Sequence, residues 1–124
     1  MGTELNGLRV LVVEDEMLVS MLVEDMLTDF GCVVVGPAPD FDEAMALAGS
    51  AEIDAALLDV NVAGRPVFPV ADALKARGVP FAFASGYGQA GLAEAHRDAP
   101  VLQKPFRQAD LERALSSLMK AAAA

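Results

Sequence analysis

The stretch LRVLVVEDEM, residues 8–17, decides the fold of this chain. An apolar run typical of a buried strand, Arg9–Val13, ends in three successive acids, Glu14, Asp15 and Glu16. Neighbouring carboxylates repel one another, so three of them at the end of a strand need a physical reason. The rest of the sequence indicates this reason, because further short apolar runs also end in polar residues that could share a site with these acids.

The composition indicates one globular domain built around a sheet that is buried on both faces. The chain has 124 residues, of which 54% are hydrophobic and 22% are charged. That length suffices for a core without metal or disulfide crosslinks, and the chain is too apolar to be disordered. We therefore expect a single domain over residues 1–124, with its core within residues 8–120.

The charge and the cysteine content exclude several classes of protein. Acids outnumber bases by 18 to 9, a formal net charge of −9, which argues against binding to nucleic acids or to anionic membranes. Cys32 is the only cysteine, so no disulfide framework or thiolate metal site is expected. No apolar run reaches the ~20 residues of a membrane span, and the N-terminus lacks a signal-peptide pattern. These features favour a cytoplasmic protein.

Short apolar runs alternate five times with stretches of helical spacing. This alternation predicts parallel strands joined by right-handed crossover helices, with a crevice at the carboxyl ends of the strands. The predicted strands are Arg9–Val13, Val33–Gly36, Ala55–Leu58, Phe81–Ala84 and Val101–Gln103. The predicted helices are Met17–Asp29, Phe41–Ala51, Val67–Arg77, Gly91–Arg97 and Gln108–Lys120.

Two of these helices carry local signals. In the first, Leu18, Met21 and Leu22 recur at spacings of three and four, as on one face of a helix, and we interpret the three methionines of this helix as core residues. Before the second, Asp40 lies three residues ahead of Glu43, which predicts an N-cap.

Polar residues follow four of the predicted strands: Glu14 with Asp15, then Asp59, Ser85 and Lys104. All would lie on one edge of the sheet. Two carboxylates 4 Å apart repel by roughly 4 kcal/mol at an effective dielectric near 20, so gathering three of them requires a cation. Hard oxygen ligands without nearby His or Cys select Mg²⁺. The sequence therefore predicts a Mg²⁺ site at Glu14, Asp15 and Asp59.

The remaining strand-end residues suit a phosphoryl group, with which a protein-bound Mg²⁺ ion typically shares its open positions. Lys104 offers a cation, Ser85 a hydroxyl and Gly86 a backbone N–H. Asp59 lies between these groups, and a carboxylate can attack phosphorus to give an aspartyl phosphate. We therefore predict Asp59 as a phosphoacceptor.

The motifs VVEDE, LLDVN, FASG and QKPF, in this order, resemble the receiver domain of two-component response regulators. The resemblance implies a flavodoxin-like (βα)5 doubly wound parallel sheet with strand order 2-1-3-4-5. It implies that a histidine kinase or a histidine phosphotransfer protein donates the phosphoryl group to Asp59. It also implies that Asn61 adds its backbone carbonyl to the Mg²⁺ site, and that Ser85, Lys104 and the Gly86 amide contact the phosphoryl oxygens.

The activity implied by this resemblance is that of a signalling domain and not of an enzyme. Phosphorylation and hydrolysis of the aspartyl phosphate would be autocatalytic, and the phosphorylated form would either switch the binding of a partner or drain phosphate from a relay. The resemblance also implies a cis peptide bond at Lys104-Pro105.

The segment PFAFASGYG, residues 80–88, resembles the PFxFATGYG signature of the FATGUY group of receivers, which are often single-domain proteins. Ser85 replaces the signature threonine and preserves the hydroxyl. Val101 occupies the position three residues before Lys104 where many receivers carry an aromatic switch residue. We hypothesise that signalling works instead through the glycine-rich segment and short helix within residues 86–98.

Other functional classes fit the sequence less well. A Mg²⁺-dependent phosphohydrolase usually needs a second acid two residues after its nucleophile, where this chain has Asn61, which cannot serve as a general acid. A flavin carrier would need a phosphate-binding loop after the first strand, where VVEDEM places negative charge. An adaptor of the same fold that is not phosphorylated is a further alternative. Because no basic recognition helix follows, we expect either a stand-alone protein or an excised domain.

Overall fold

The computed structural model describes residues 5–86 and 99–123, and the side chains as far as residue 120. Its strands are β1 Arg9–Val13, β2 Val33–Ala38, β3 Ala55–Asp59, β4 Asn61–Val62, β5 Arg65–Pro66, β6 Phe81–Ser85 and β7 Val101–Gln103. Its helices are α1 Met17–Asp29, α2 Phe41–Ser50, α3 Phe68–Ala76 and α4 Gln108–Ala123. The helix predicted at residues 91–97 lies outside the described residues.

The five long strands form one sheet in the order β2-β1-β3-β6-β7, and every neighbouring pair is parallel. Numbered among themselves, these strands have the order 2-1-3-4-5, so the predicted topology is confirmed. The two short strands, β4 and β5, form a separate antiparallel hairpin that the sequence did not predict. Since β1 and β3 are neighbours, their carboxyl ends meet at one edge of the sheet.

The core has two halves, one on each face of the sheet. Residues of β1 alternate between them: Val10 and Val12 belong to the half covered by α1 and α4, and Leu11 and Val13 to the half covered by α2 and α3. Phe83 of β6 is fully buried in the second half. This two-sided burial explains why the strands are almost uniformly apolar.

Helix α1 presents four large apolar residues to solvent, and two of them, Met17 and Met21, were predicted to be core residues. The exposed fractions are 74% for Met17, 78% for Leu18, 53% for Met21 and 59% for Leu22. Only the third methionine, Met26, packs against the core. The interpretation of Met17 and Met21 as core residues is therefore wrong.

The sheet contacts a different stripe of α1, which includes Ser20, Val23 and Leu27. Ser20 is small, and its hydroxyl donates to the carbonyl of Met17 at 3.0 Å, so it is buried without an unpaired polar atom. Because α1 is apolar on more than one side, the spacing of its residues predicted a helix but not the face that packs. Among the described residues, no helix is long and apolar enough to cross a membrane.

Helix α2 is fixed at both ends by side chains. The predicted N-cap is confirmed, because the Asp40 carboxylate accepts a hydrogen bond of 2.8 Å from the Glu43 amide. At the other end, the guanidinium of Arg77 donates to the carbonyls of Ala48 at 2.6 Å and Ala51 at 2.8 Å. Arg77 thus joins the end of α3 to the last turn of α2.

Strand β2 was predicted to end at Gly36, but it bends there and continues for two more residues to Ala38. Gly36 has a φ of +95°, and the pairing of β2 with β1 shifts register between Leu11 and Val13. A Cβ atom on Gly36 would lie 2.8 Å from the Ala38 nitrogen, so only glycine fits without movement of the backbone. After the bend, the carbonyl of Ala38 accepts a hydrogen bond of 3.1 Å from the Glu14 amide.

We expect Gly36→Ala to lower the free energy of unfolding by about 2–4 kcal/mol, because alanine resists the positive φ and its Cβ meets the backbone. Gly49→Ala is the matched control. Gly49 lies in α2, where a Cβ would contact nothing within 4 Å, so the change should raise stability by up to about 1 kcal/mol. Denaturant unfolding measures both, and an equal effect of the two substitutions would contradict the role assigned to Gly36.

Candidate functional site

Three carboxylates converge at the carboxyl edge of the sheet, as the sequence predicts. Glu14 and Asp15 follow β1, and Asp59 ends β3. One oxygen atom from each lies within 4.8 Å of the others. Glu14 is buried, Asp15 is exposed and Asp59 is intermediate, so the cluster reaches from the core to the surface.

Lys104 lies against this cluster from the end of β7. Its ammonium donates a hydrogen bond of 2.9 Å to Glu14 Oε1 and lies 3.4 Å from Asp59 Oδ2. Its backbone N–H donates to the carbonyl of Ser85 at 2.9 Å, which ties the end of β7 to the end of β6. The Lys104-Pro105 peptide bond is cis, as the resemblance implies.

The pKa values of Asp59 and Lys104 are both shifted by their surroundings in this cluster. Burial and, next, the charge of Glu14 raise the pKa of Asp59 to about 6, against the opposing effect of Lys104. Burial also lowers the pKa of Lys104, but the hydrogen bond to Glu14 and the charge of Asp59 outweigh it, so the net shift is upward. Lys104 therefore stays cationic at neutral pH, and its single charge only partly compensates the three carboxylates.

The donor set of this cluster suits a hard divalent cation. It offers carboxylate oxygens, without a histidine or cysteine, and one of its members is open to solvent. Such ligands are those preferred by Mg²⁺ and Ca²⁺. A divalent cation would supply the positive charge that Lys104 alone does not.

The other predicted site residues lie near the same edge. Ser85 is buried at the end of β6, and Gly86 follows it on the surface, where a Cβ would contact nothing within 4 Å. Asn61 is exposed in β4, two residues after Asp59. Their contacts with a phosphoryl group or a cation stay predictions. Residues 87–98, which hold Tyr87, His96 and most of the hypothesised switch segment, lie outside the described part of the chain.

The hairpin that borders the site was not predicted from the sequence. The Ala63 amide, at its turn, donates a hydrogen bond of 3.1 Å to Asp15 Oδ2. Ala63 and Gly64 have φ angles of +50° and +83°, the combination of a type I′ hairpin turn. The available signal was weak, because such turns favour Asn-Gly or Asp-Gly and this chain has Ala-Gly.

An apolar groove, which was also not predicted from the sequence, lies beside the site. It has a volume of about 340 Å³ and lies between α1 and the residues that follow β7. Its lining residues are Val19, Leu22, Val23, Met26, Lys104, Pro105 and Phe106. The groove joins residues of α1 to residues after β7 that are far away in the chain, so no local sequence pattern predicts it.

The chain matches the family model of the response regulator receiver domain over residues 10–116. It is 35% identical over 107 residues to the transcriptional regulatory protein PdtaR of Mycobacterium tuberculosis, a match that covers 83% of this chain and 52% of PdtaR. The chain thus spans about half the length of the curated relatives it matches.

Two similar solved structures are of the protein SdrG. The solution structure of SdrG from Sphingomonas melonis Fr1 is 41% identical with a TM-score of 0.81, over 91% of this chain and 97% of SdrG. The solution structure of the BeF3-activated conformation of SdrG from Pseudomonas melonis Fr1 is 42% identical with a TM-score of 0.76, over 90% of this chain and 95% of that chain. These similarities confirm the predicted fold class.

In the absence of divalent cations, we expect Asp59→Asn to be more stable than the wild type above about pH 6, with the difference shrinking as the pH falls toward about 4. The carboxyl has a pKa of about 6 in the folded protein, against about 3.9 in an unfolded chain. The wild type therefore loses stability as the pH rises through this window, whereas the amide does not titrate. The difference should be about 2–3 kcal/mol, at about 1.4 kcal/mol for each pKa unit, and the contact with Lys104 is already included in the pKa of about 6.

Urea unfolding in the presence of a chelator measures this difference across the pH range. The control is Asp29→Asn, which neutralises an exposed acid of α1 and should leave the pH dependence unchanged. A pH profile of Asp59→Asn that runs parallel to the wild type would contradict the raised pKa.

Proposed function

Since the chain belongs to the response regulator receiver domain family, a family of signalling domains, we propose that it accepts its phosphoryl group on Asp59 from a phosphohistidine. The donor is a histidine kinase or a histidine phosphotransfer protein. The observation that carries this proposal is the contact of the Lys104 ammonium with both Glu14 and Asp59 at the carboxyl edge of the sheet. That contact places a cation next to the nucleophile, where a phosphoryl group would arrive.

The transfer is a displacement at phosphorus. A carboxylate oxygen of Asp59 forms a bond to phosphorus while the phosphorus–nitrogen bond of the phosphohistidine breaks, and the electron pair returns to the imidazole nitrogen. Lys104 stabilises the negative charge on the phosphoryl oxygens. In the return reaction water attacks phosphorus, the bond to Asp59 breaks and inorganic phosphate leaves. Both steps use the same residues, so the turnover of the phosphorylated form is autocatalytic.

The three carboxylates fit Mg²⁺, which Glu14, Asp15 and Asp59 would hold through their side chains and Asn61 through its backbone carbonyl. When bound, Mg²⁺ neutralises charge on the phosphoryl oxygens. The Ser85 hydroxyl and the Gly86 amide would donate hydrogen bonds to the same oxygens. The exposure of Asp15, and of Gly86 beside Ser85, supports this arrangement because it leaves the site open to an incoming donor.

The apolar side of α1 suits the docking of the phosphodonor. Met17, Leu18, Met21 and Leu22 form an exposed apolar surface that is continuous through Leu22 with the groove beside Lys104. Exposed apolar patches of this kind mark interaction surfaces. A partner bound there would lie next to Asp59, as phosphotransfer requires.

The charge around this surface favours a basic partner over a second copy of the chain. Helix α1 contains no basic residue, and acids occur just before it and in its second half: Asp15, Glu16, Glu24, Asp25 and Asp29. Two copies, each with a formal net charge of −9, would repel one another. We therefore propose a phosphodonor that combines apolar side chains with lysines or arginines at its rim.

We propose two alternative roles for the phosphorylated protein. Phosphorylation either switches the binding of a downstream protein or removes phosphoryl groups from a relay. A Mg²⁺-dependent phosphohydrolase is not favoured, because Asn61 occupies the position of the general acid. The cytoplasmic location and the assignment to the FATGUY group stay predictions from the sequence.

A small phosphoryl donor such as acetyl phosphate should add one phosphoryl group to the wild type in the presence of Mg²⁺, and none to Asp59→Asn. Intact-mass spectrometry measures the adduct. Lys104→Met should reduce the rate of its formation by at least about tenfold, because it removes the cation that contacts the nucleophile. Asp29→Asn, an exposed acid elsewhere on α1, serves as the control. An adduct that persists in Asp59→Asn would refute Asp59 as the acceptor.

Substituting Leu22 with aspartate should slow phosphotransfer from a phosphorylated histidine phosphotransfer protein by about tenfold or more, because it places a charge in the apolar surface. The same variant should react with acetyl phosphate at the rate of the wild type. Ala46→Asp, at an exposed position of α2, is the matched control. Equal protein-to-protein transfer rates for the two variants would place the docking surface elsewhere.

A further inference from the structure

The β4–β5 hairpin is a compact element between the phosphoacceptor strand and α3. Asn61 pairs with Pro66 and Val62 with Arg65 in an antiparallel register. The turn between them holds Ala63 at a φ of +50°. A non-glycine residue in this conformation costs of order 1 kcal/mol, and such residues persist only where the surrounding structure holds them.

The surroundings of the hairpin hold it in two ways. On its inner side, Val62 is fully buried in the core half covered by α2 and α3. On its outer side, the guanidinium carbon of Arg65 lies 3.8 Å from the centre of the Phe41 ring, and its Nη1 lies 3.7 Å from Asp42 Oδ1. The hairpin is therefore fixed to the core and to the start of α2.

The tip of this fixed hairpin contacts the most exposed acid of the candidate site. The Ala63 amide donates its hydrogen bond of 3.1 Å to Asp15 Oδ2. Glu14, by contrast, is buried and bound by Lys104. Among the contacts described for Asp15, the hairpin amide is the hydrogen-bond donor to its carboxylate, which lies beside the other two acids.

We propose that the hairpin orients the Asp15 carboxylate for cation binding, with Ala63 as a positioning residue that acts through its backbone N–H. This inference rests on the Mg²⁺ site of the proposed function. An exposed aspartate must lose side-chain rotational freedom when it coordinates an ion, and a hydrogen bond that fixes it beforehand reduces this cost. Altering a group that hydrogen-bonds to a metal ligand commonly changes the metal affinity by about 10–100-fold.

Two substitutions at Ala63 separate the backbone geometry from the side chain. Valine is β-branched and resists a positive φ, so Ala63→Val should displace the amide from Asp15. Asparagine adopts this conformation readily and forms type I′ turns with a following glycine, so Ala63→Asn should keep the amide in place. Calorimetric titration with Mg²⁺ should give a dissociation constant about tenfold higher for Ala63→Val, and one within about twofold of the wild type for Ala63→Asn.

The free energy of unfolding without Mg²⁺ is measured for the same proteins. A purely structural role would lower this stability in Ala63→Val and leave the Mg²⁺ affinity of the folded protein unchanged, which would overturn the proposal. An equal loss of affinity in Ala63→Asn would also overturn it. If Ala63→Val does not fold, Arg65→Ala, which releases the hairpin from Phe41, is the second variant, and it should weaken Mg²⁺ binding severalfold.

The wild type distinguishes this inference from the function on which it rests. A wild type that does not bind Mg²⁺ would overturn both the cation site and the role of the hairpin. A wild type that binds Mg²⁺ with the same affinity as Ala63→Val and Arg65→Ala would overturn the role of the hairpin alone.

Discussion

Repulsion among the three carboxylates at the end of β1 and β3 is the constraint on which the rest of the site depends. The parallel pairing of these strands forces their acids together, and burial strengthens the repulsion. Burial and the charge of Glu14 raise the pKa of Asp59 to about 6, because Lys104 offsets only part of their effect. The residual negative charge would attract a divalent cation, and the cation would in turn offset the charge of a phosphoryl group. Binding of a cation would thus reduce an electrostatic repulsion that the pairing of the strands imposes.

Much of this arrangement could be predicted from the sequence, because strand ends in a parallel sheet share an edge regardless of the details of packing. The apolar runs located the five long strands, and the residues that follow them identified the acids, Ser85 and Lys104. The order of the strands came from the family resemblance and not from the runs themselves. The N-cap at Asp40 was predictable because it depends on residues only three positions apart.

The features that were not predicted depend on tertiary contacts, because the local sequence is compatible with more than one arrangement. Helix α1 is apolar on more than one side, so periodicity could not select the stripe of Val23 and Leu27 over that of Leu18 and Leu22. The Ala63-Gly64 turn lacks the asparagine or aspartate that usually marks such hairpins. The bonds from Arg77 to the end of α2 join residues 29 and 26 positions apart, which no local pattern reveals.

Strand β3 is the middle strand of the sheet, and its residues alternate between the two halves of the core: Ala55 and Leu57 on one side, Ala56 and Leu58 on the other. Asp59 lies at the carboxyl end of this strand, so the strand that carries it packs against both halves of the core. The surface of α1 and the side formed by α2 and α3 have no helix in common. Substitutions on the apolar surface of α1 can therefore accumulate without altering the packing of α2 and α3, so the partner that this surface recognises can change over evolution while the other half of the core stays intact.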